Sequence, residues 1–334
     1  MPTIIDVATA AGVSTATVSR VLSHPERVLP ATRDRVLATV EALGYRPNVA
    51  ARSLRTLRAA KILVTVPDIS NPFFASVIRG AEEAARDAGY GVVLGDTRHD
   101  RAIEDQYGAM LLRREVDGLI FLGHHLPDSL RAMAASDRAP IVNGCEYSAD
   151  LGVPSVHIDN AAAGADAIVH LAELGHRAIG VVTGPDVSPP SRDRLAGARA
   201  AAEQRGLELL EEHGDYSARS GFDGAARLIA SGVTAIFCFS DVMAMGAIGA
   251  VRAAGLSCPE HVSVVGFDDL PLAPFFQPAL TTIAQPKELI GRRTVELLVE
   301  LLRGTSPAAA PEQLPHELVV RQSTEAVPRR ALRI

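Results

Sequence analysis

Residues 4–22 read IIDVATAAGVSTATVSRVL, and their spacing decides how the front of the chain folds. Ile4, Val7, Ala8 and Ala11 recur at i, i+3, i+4 and i+7, which places them on one face of a helix. Thr3 precedes them as a cap, and Asp6 three residues on completes a capping-box pattern that satisfies exposed backbone N–H groups. Gly12-Val13 interrupts this helix and Ser14 caps a second, whose buried stripe is Val18, Val21 and Leu22. Thr15, Ala16, Ser19 and Arg20 lie off that stripe. A third helix over about 31–43 is expected to bury Val36, Leu37, Val40 and Leu43, and to stop at Gly44, where a left-handed residue suits a C-terminal cap.

Three short helices with a Gly-containing turn between the first two make a helix-turn-helix, although a small bundle packed on a larger body would share the pattern. The second helix has the face of a major-groove reader: small side chains near its start, and an arginine that can donate two hydrogen bonds to guanine. Charge agrees with that reading. Eight of the chain's 33 basic residues but only four of its 39 acids fall in residues 1–60, leaving 25 basic and 35 acidic residues behind them. A cationic head on an acidic body points to a polyanionic partner for the head alone. In RPNVAARSLRTLRAA (46–60), Pro47 breaks the chain and Asn48 can cap two helical turns that are marginal in water by themselves. Leu54, with Ser53 and Arg55 beside it, has nothing local to bury against. Such a side chain can wedge between base pairs from the minor groove, or the segment can be a plain basic linker.

From Lys61 onward, apolar runs of strand length alternate with helix-length segments. KILVTV, YGVVLG, DGLIFLG and PIVNG form one series, with helices near 73–88, 101–115 and 127–136. SVHI, AIGVV, TAIFCF and VSVVGF form a second, with helices near 160–174, 192–205, 218–231 and 241–254. TTIAQP, a helix near 287–303 and a closing ELVVRQ follow, and the Pro-rich SPAAAPEQLP (306–315) reads as a surface loop. The alternation predicts an α/β body of two lobes, each a parallel sheet covered by helices on both faces. Ligands of such sheets bind beyond the carboxyl ends of the strands, which directs attention to the loops at 67–74, 143–147, 183–194, 214–216, 239–241, 266–271 and 284–286. Phe73, Phe74 and Tyr216 offer aromatic faces there. Asp159, Arg194, Asp268 and Gln285 offer charged and amide groups that can hold vicinal hydroxyls. Each also has an ordinary reading, Phe73 and Phe74 as core residues and Asp159 as a helix cap.

The head segments IIDVATAAGVSTATVSRVL and TRDRVLATVEALGYRPNVAARSL resemble the DNA-binding head and hinge of the lactose-repressor (LacI) family. PSVHIDN, LGHRAIGVVTGP, RLAGA, SDVMAMGAI, VSVVGFDD and ALTTIAQP stand in that family's order through residues 61–325, and VPDISNPFFASVIRG and TTIAQP resemble its cytidine-repressor branch. The resemblance implies a helix-turn-helix domain over 1–46, a hinge helix and linker over 47–60, and an effector-binding and dimerisation body over 61–328 like a type I periplasmic binding protein. It implies DNA contacts for Thr15, Ala16, Arg20, Leu54 and Arg55, with Ala16 departing from members that carry a longer polar side chain. It implies effector contacts for Phe73, Phe74, Asp159, Arg194, Tyr216, Asp268 and Gln285. Purine-responsive members carry arginine and threonine where this chain has Ser188 and Pro190, so the expected effector is a nucleoside, with a pentose or other small sugar as the alternative.

Other signals lead nowhere. Gly89, Gly91 and Gly95 lack dinucleotide-fingerprint spacing and fall in a predicted strand. His124-His125 has no matching carboxylate spacing, His99-Asp100 reads as a turn, Ser191 sits in no nucleophile elbow, and Cys145, Cys238 and Cys258 match no metal pattern. No acid–base pair or phosphate loop is found, so the expectation is a regulator and not an enzyme, with no metal and no cofactor. Neither a secretory leader nor an apolar run near 18 residues occurs, so a cytoplasmic protein is expected. TEAVPRRALRI at the end has no leucine heptad, and a homodimer on a near-palindromic operator is expected in place of a tetramer.

Overall fold

The computed structural model describes residues 2–46, 58–135, 139–147, 152–305 and 311–327. Backbone contacts divide the chain into two units, 1–59 and 60–334. In the first, helices α1 (Ile4–Ala11), α2 (Thr15–Ser23) and α3 (Pro30–Leu43) pack around Val7, Ala8, Ala11, Val18, Val21 and Val36. The Thr3–Asp6 capping box is formed in both directions, and Ser14 Oγ accepts from Thr17 N at 3.1 Å. Gly12 (φ 62°) and Gly44 (φ 60°) take the left-handed conformation that ends their helices. Leu37 and Leu43, expected in this core, are 43% and 39% exposed. A unit of three short helices offers α3 one narrow stripe to cover, and Val36 fills it.

The second unit holds two six-stranded sheets. Its strands are β1 (Lys61–Val66), β2 (Gly91–Asp96), β3 (Gly118–Phe121), β4 (Ile141–Gly144), β5 (Ser155–Ile158), β6 (Ala178–Val182), β7 (Glu208–Glu212), β8 (Ala235–Cys238), β9 (Ser263–Asp268), β10 (Thr281–Ala284), β11 (Glu312–Leu314) and β12 (Glu317–Val319). Helices α4 (Pro72–Asp87), α5 (Arg101–Leu112), the one-turn α6 (Arg131–Ala134), α7 (Asn160–Glu173), α8 (Pro189–Arg205), α9 (Ala218–Ala230), α10 (Asp241–Ala253) and α11 (Lys287–Leu302) connect them. The first sheet runs β11-β5-β4-β3-β1-β2, all parallel. The second runs β12-β10-β9-β8-β6-β7, parallel except where β12 pairs antiparallel with β10.

Sequence pattern and structure part in four places. SVHI, assigned to the second series, is β5 of the first sheet. The expected loop 306–315 contains β11, three residues between Pro311 and Pro315 that are too short to show a period. β7 was not foreseen, because ELLEE carries three acids and lies on an edge where its side chains are only half covered. The helix expected at 127–136 shrinks to a 3-10 turn (Asp128–Leu130) and α6.

The chain therefore crosses between lobes three times, at 158–160, 284–287 and 314–317, and α11 returns to pack on the first lobe. Gly80 and Gly291 make that packing close: a Cβ on either would stand 2.0 Å or less from a carbonyl oxygen of the facing helix. With the parallel strands of each sheet aimed the same way, their carboxyl ends bound one cleft.

Candidate ligand cleft and nucleic-acid interface

The cleft contains a cavity of about 340 Å³, within the range of small-molecule sites. Phe73, Phe74, Arg194, Tyr216, Asp268 and Gln285 all line it. Phe73 and Phe74 come from the first turn of α4, where Asn71 Oδ1 accepts from Phe73 N at 3.0 Å. Their rings meet edge to face at 5.1 Å, so both readings of the pair hold: they join the first lobe's core and wall the cavity. Tyr216, at φ 68°, sits against the backbone of Gly184, where an added Cβ would lie 2.3 Å from the ring. Its hydroxyl lies 3.4 Å from Ser188 Oγ.

Arg194 is 6% exposed and lies in the second turn of α8, not in a loop, because the helix begins at Pro189. Its Nε donates to Asn160 Oδ1 at 2.9 Å, its Nη1 donates to the Phe239 carbonyl at 2.7 Å, and its guanidinium stacks 3.5 Å from the Phe267 ring centroid. The planar fork is thus held by the protein's own groups. Asp268 ends β9 at φ 110° and is 5% exposed; its Oδ1 accepts from Gln285 Nε2 at 2.8 Å. Lys287 Nζ donates to the backbone carbonyls of Asp268 and Asp269. Burial raises the Asp268 carboxyl to about 6, against the pull of Arg194, Gln285 and Lys287.

Asp159 stands apart. It is exposed, does not line the cavity, and caps α7 by accepting from Ala162 N at 2.9 Å; its neighbour Asn160 is the residue that reaches Arg194. Several cavity residues escaped the sequence reading. Glu146 follows β4, in a loop singled out by the strand-end rule, but nothing in the sequence distinguished its side chain. Asp241 lies behind the wall, fully buried, accepting from Leu270 N at 2.7 Å and Thr282 Oγ1 at 2.6 Å. Burial, reinforced by Asp268, raises its carboxyl to about 8.

On the head, Thr15, Ala16 and Arg20 are exposed along α2, while Val18 and Val21 of the same helix are buried. Leu54 and Arg55, and most of the expected hinge, lie outside the described residues. Among the described residues no group of three or more His, Cys, Asp or Glu side chains could hold a metal, and no helix is long and apolar enough to cross a membrane.

A helix-turn-helix head and a two-lobed ligand-binding body define a class of DNA-binding regulators, and comparison with known proteins gives the family. Residues 3–48 match the bacterial regulatory proteins of the lacI family, and residues 168–324 match the periplasmic binding protein-like domain. The HTH-type transcriptional repressor CytR of Escherichia coli K12 is 38% identical over 331 residues, 98% of this chain and 97% of that one. The lac repressor dimer bound to operator and the anti-inducer ONPF superposes with a TM-score of 0.88 at 31% identity, covering 97% of this chain and 99% of that one. A LacI family regulator from Enterococcus faecium with bound ribose gives a TM-score of 0.71 at 27% identity, over 80% of this chain and 99% of that one. The chain belongs to the lacI family of bacterial regulatory proteins. It is a DNA-binding transcription regulator and not an enzyme.

Proposed function

We propose that this chain is a cytoplasmic repressor that binds a near-palindromic operator as a homodimer and changes its grip when a nucleoside enters the cleft. The observation that carries the effector reading is the convergence of an aromatic wall (Phe73, Phe74, Tyr216) with a pre-fixed Arg194 and the Asp268–Gln285 pair in one cavity. Flat rings suit a base, at about 1–3 kcal/mol per stacked base in nucleic-acid sites. The guanidinium and carboxylate suit vicinal ribose hydroxyls through charge-assisted hydrogen bonds. Asp159 has no part in this proposal, since its side chain is committed to α7.

The cavity's charge favours an uncharged ligand. Asp68, Glu146, Asp215 and Asp268 line it, and among the described lining residues Arg194 is the one lysine or arginine. A phosphorylated nucleoside would meet more carboxyl groups than cations. The bound ribose of the Enterococcus faecium relative supports a pentose as the second reading.

On the head, Thr15, Ala16 and Arg20 would face major-groove bases, with Leu54 as a minor-groove wedge and Arg55 its basic neighbour. The domain limits proposed for this machinery are 1–46, 47–60 and 61–328. Titration calorimetry of the full chain against cytidine, uridine, adenosine, ribose and free purines tests the effector: heat with a nucleoside supports the proposal, and heat with ribose alone replaces it with the pentose reading.

A further inference from the structure

Among the described residues, Glu146 is a cavity residue whose carboxyl group has no hydrogen-bond donor. It follows β4 on the first lobe, its side chain is 14% exposed, and its Oε2 is buried without a hydrogen bond. Among the described residues the only basic nitrogen within 4 Å is His124 Nδ1, at 3.5 Å, too far for a hydrogen bond. His124 is itself held toward its neutral form, first by burial and then by His99, His125, Arg101 and Arg192 around it. Arg194 also acts on Glu146, but its Nε and Nη1 are bonded to Asn160 and Phe239, and its charge acts on Asp268 as well. Tyr216 and Cys145 complete the surroundings and bring no positive charge.

Two carboxyl groups thus share one committed guanidinium inside a part-desolvated cleft. Both cannot ionise cheaply, and the one with poorer partners keeps its proton. Asp268 has Gln285 as donor; Glu146 has none. We propose that Glu146 is a specificity-determining residue that faces the effector as an uncharged carboxylic acid and donates a hydrogen bond to it, complementing the accepting Asp268 on the opposite lobe. Burial raising the Glu146 carboxyl to about 8 agrees with that geometry. The cleft then offers one donor acid and one acceptor acid, so it selects a ligand with an acceptor toward the first lobe and hydroxyl donors toward the second. A nucleoside, with ring acceptors on its base and hydroxyls on its sugar, satisfies both; this inference rests on the effector reading given above.

Two measurements on the full-length protein test it. Infrared difference spectra at pH 7 between wild type and Glu146→Gln should show a protonated-carboxyl C=O band lost in the variant, with Asp241→Asn removing a separate band as reference. Calorimetry with cytidine, and with ribose as second probe, should find Glu146→Gln within about threefold of wild type and Glu146→Ala weaker by about tenfold or more. Wild-type affinity should fall above about pH 8, approaching tenfold per unit as the donor proton is lost, while Glu146→Gln stays level. This window lies clear of Asp268, raised to about 6, and since Asp241, raised to about 8, titrates within it in both proteins, the Glu146 step is read as the difference between wild type and Glu146→Gln. No infrared difference at position 146 overturns the proposal, as does a Gln variant as weak as the Ala variant. Silence from both probes with wild type counts against the effector reading, and the infrared spectra alone then decide Glu146.

Discussion

Arg194 joins three parts of the site: α8 carries it, Asn160 of α7 and the carbonyl after β8 hold its nitrogens, and the Phe267 ring supports its face. Truncation to alanine leaves those acceptors unpaired and, on the proposed function, removes a donor to the effector. Hydrogen bonds to charged groups contribute about 1.5–3 kcal/mol. Arg194→Ala and Asp268→Ala should therefore each weaken effector binding by tenfold or more in calorimetry, while operator affinity in the absence of effector, read by gel shift, stays intact. Loss of both would indicate damaged folding. Asp241 gives a second test at this scale. The folded chain holds its proton to about pH 8, whereas an unfolded aspartate releases it near 3.8. Its contribution to stability is therefore complete below 3.8 and is lost as pH rises to about 8. The melting temperature of Asp241→Asn relative to wild type should climb between pH 5 and 8 and level off above; a constant difference would show that Asp241 is already ionised at pH 5. Strand-end position, residue type and the family resemblance singled out Arg194, Tyr216, Asp268 and Gln285, which line the cavity. Glu146 and Asp241 were hidden because their character comes from burial by segments far away in sequence.

The elements hold these side chains in place through a few close approaches. Gly164 of α7 lies so near α8 that an added Cβ would stand 2.2 Å from the Arg194 carbonyl oxygen. Gly164→Ala must push the two helices apart, at a cost of about 1–3 kcal/mol. Thermal unfolding should come earlier, and because the displaced helix carries Arg194, effector affinity should fall too. In the head, Gly12 closes α1 in the left-handed region, which disfavours a β-branched side chain by about 1–2 kcal/mol. Gly12→Val should weaken operator binding by about tenfold while the body still responds to effector in calorimetry. The hinge proposed for residues 47–60 makes its own prediction: Leu54→Gly should lower affinity for the specific site and spare loose, salt-sensitive binding to random duplex. Capped helices and apolar strands were legible because cap residues and periods are local signals. The placement of β5, β11 and α11 was not, since which sheet a short strand joins depends on where the chain crosses between lobes.

At the scale of the whole molecule, three crossings join the lobes, and Gln285 lies in one of them while hydrogen bonding to Asp268 in the cleft. A ligand that prefers one arrangement of the lobes shifts the population toward it by no more than that preference, typically about 1–3 kcal/mol. By reciprocity the operator must change effector affinity by the same factor. Sequence alone carried the overall plan, a cationic reader ahead of an acidic α/β sensor, because charge and periodicity are written along the chain. The most direct test is operator affinity of the full-length protein, titrated by fluorescence anisotropy with and without saturating cytidine, alongside a random duplex of equal length. Operator affinity should exceed that for random duplex and should change by about 5–150-fold with cytidine. Equal affinity for both duplexes, unmoved by any nucleoside or pentose, would contradict the account.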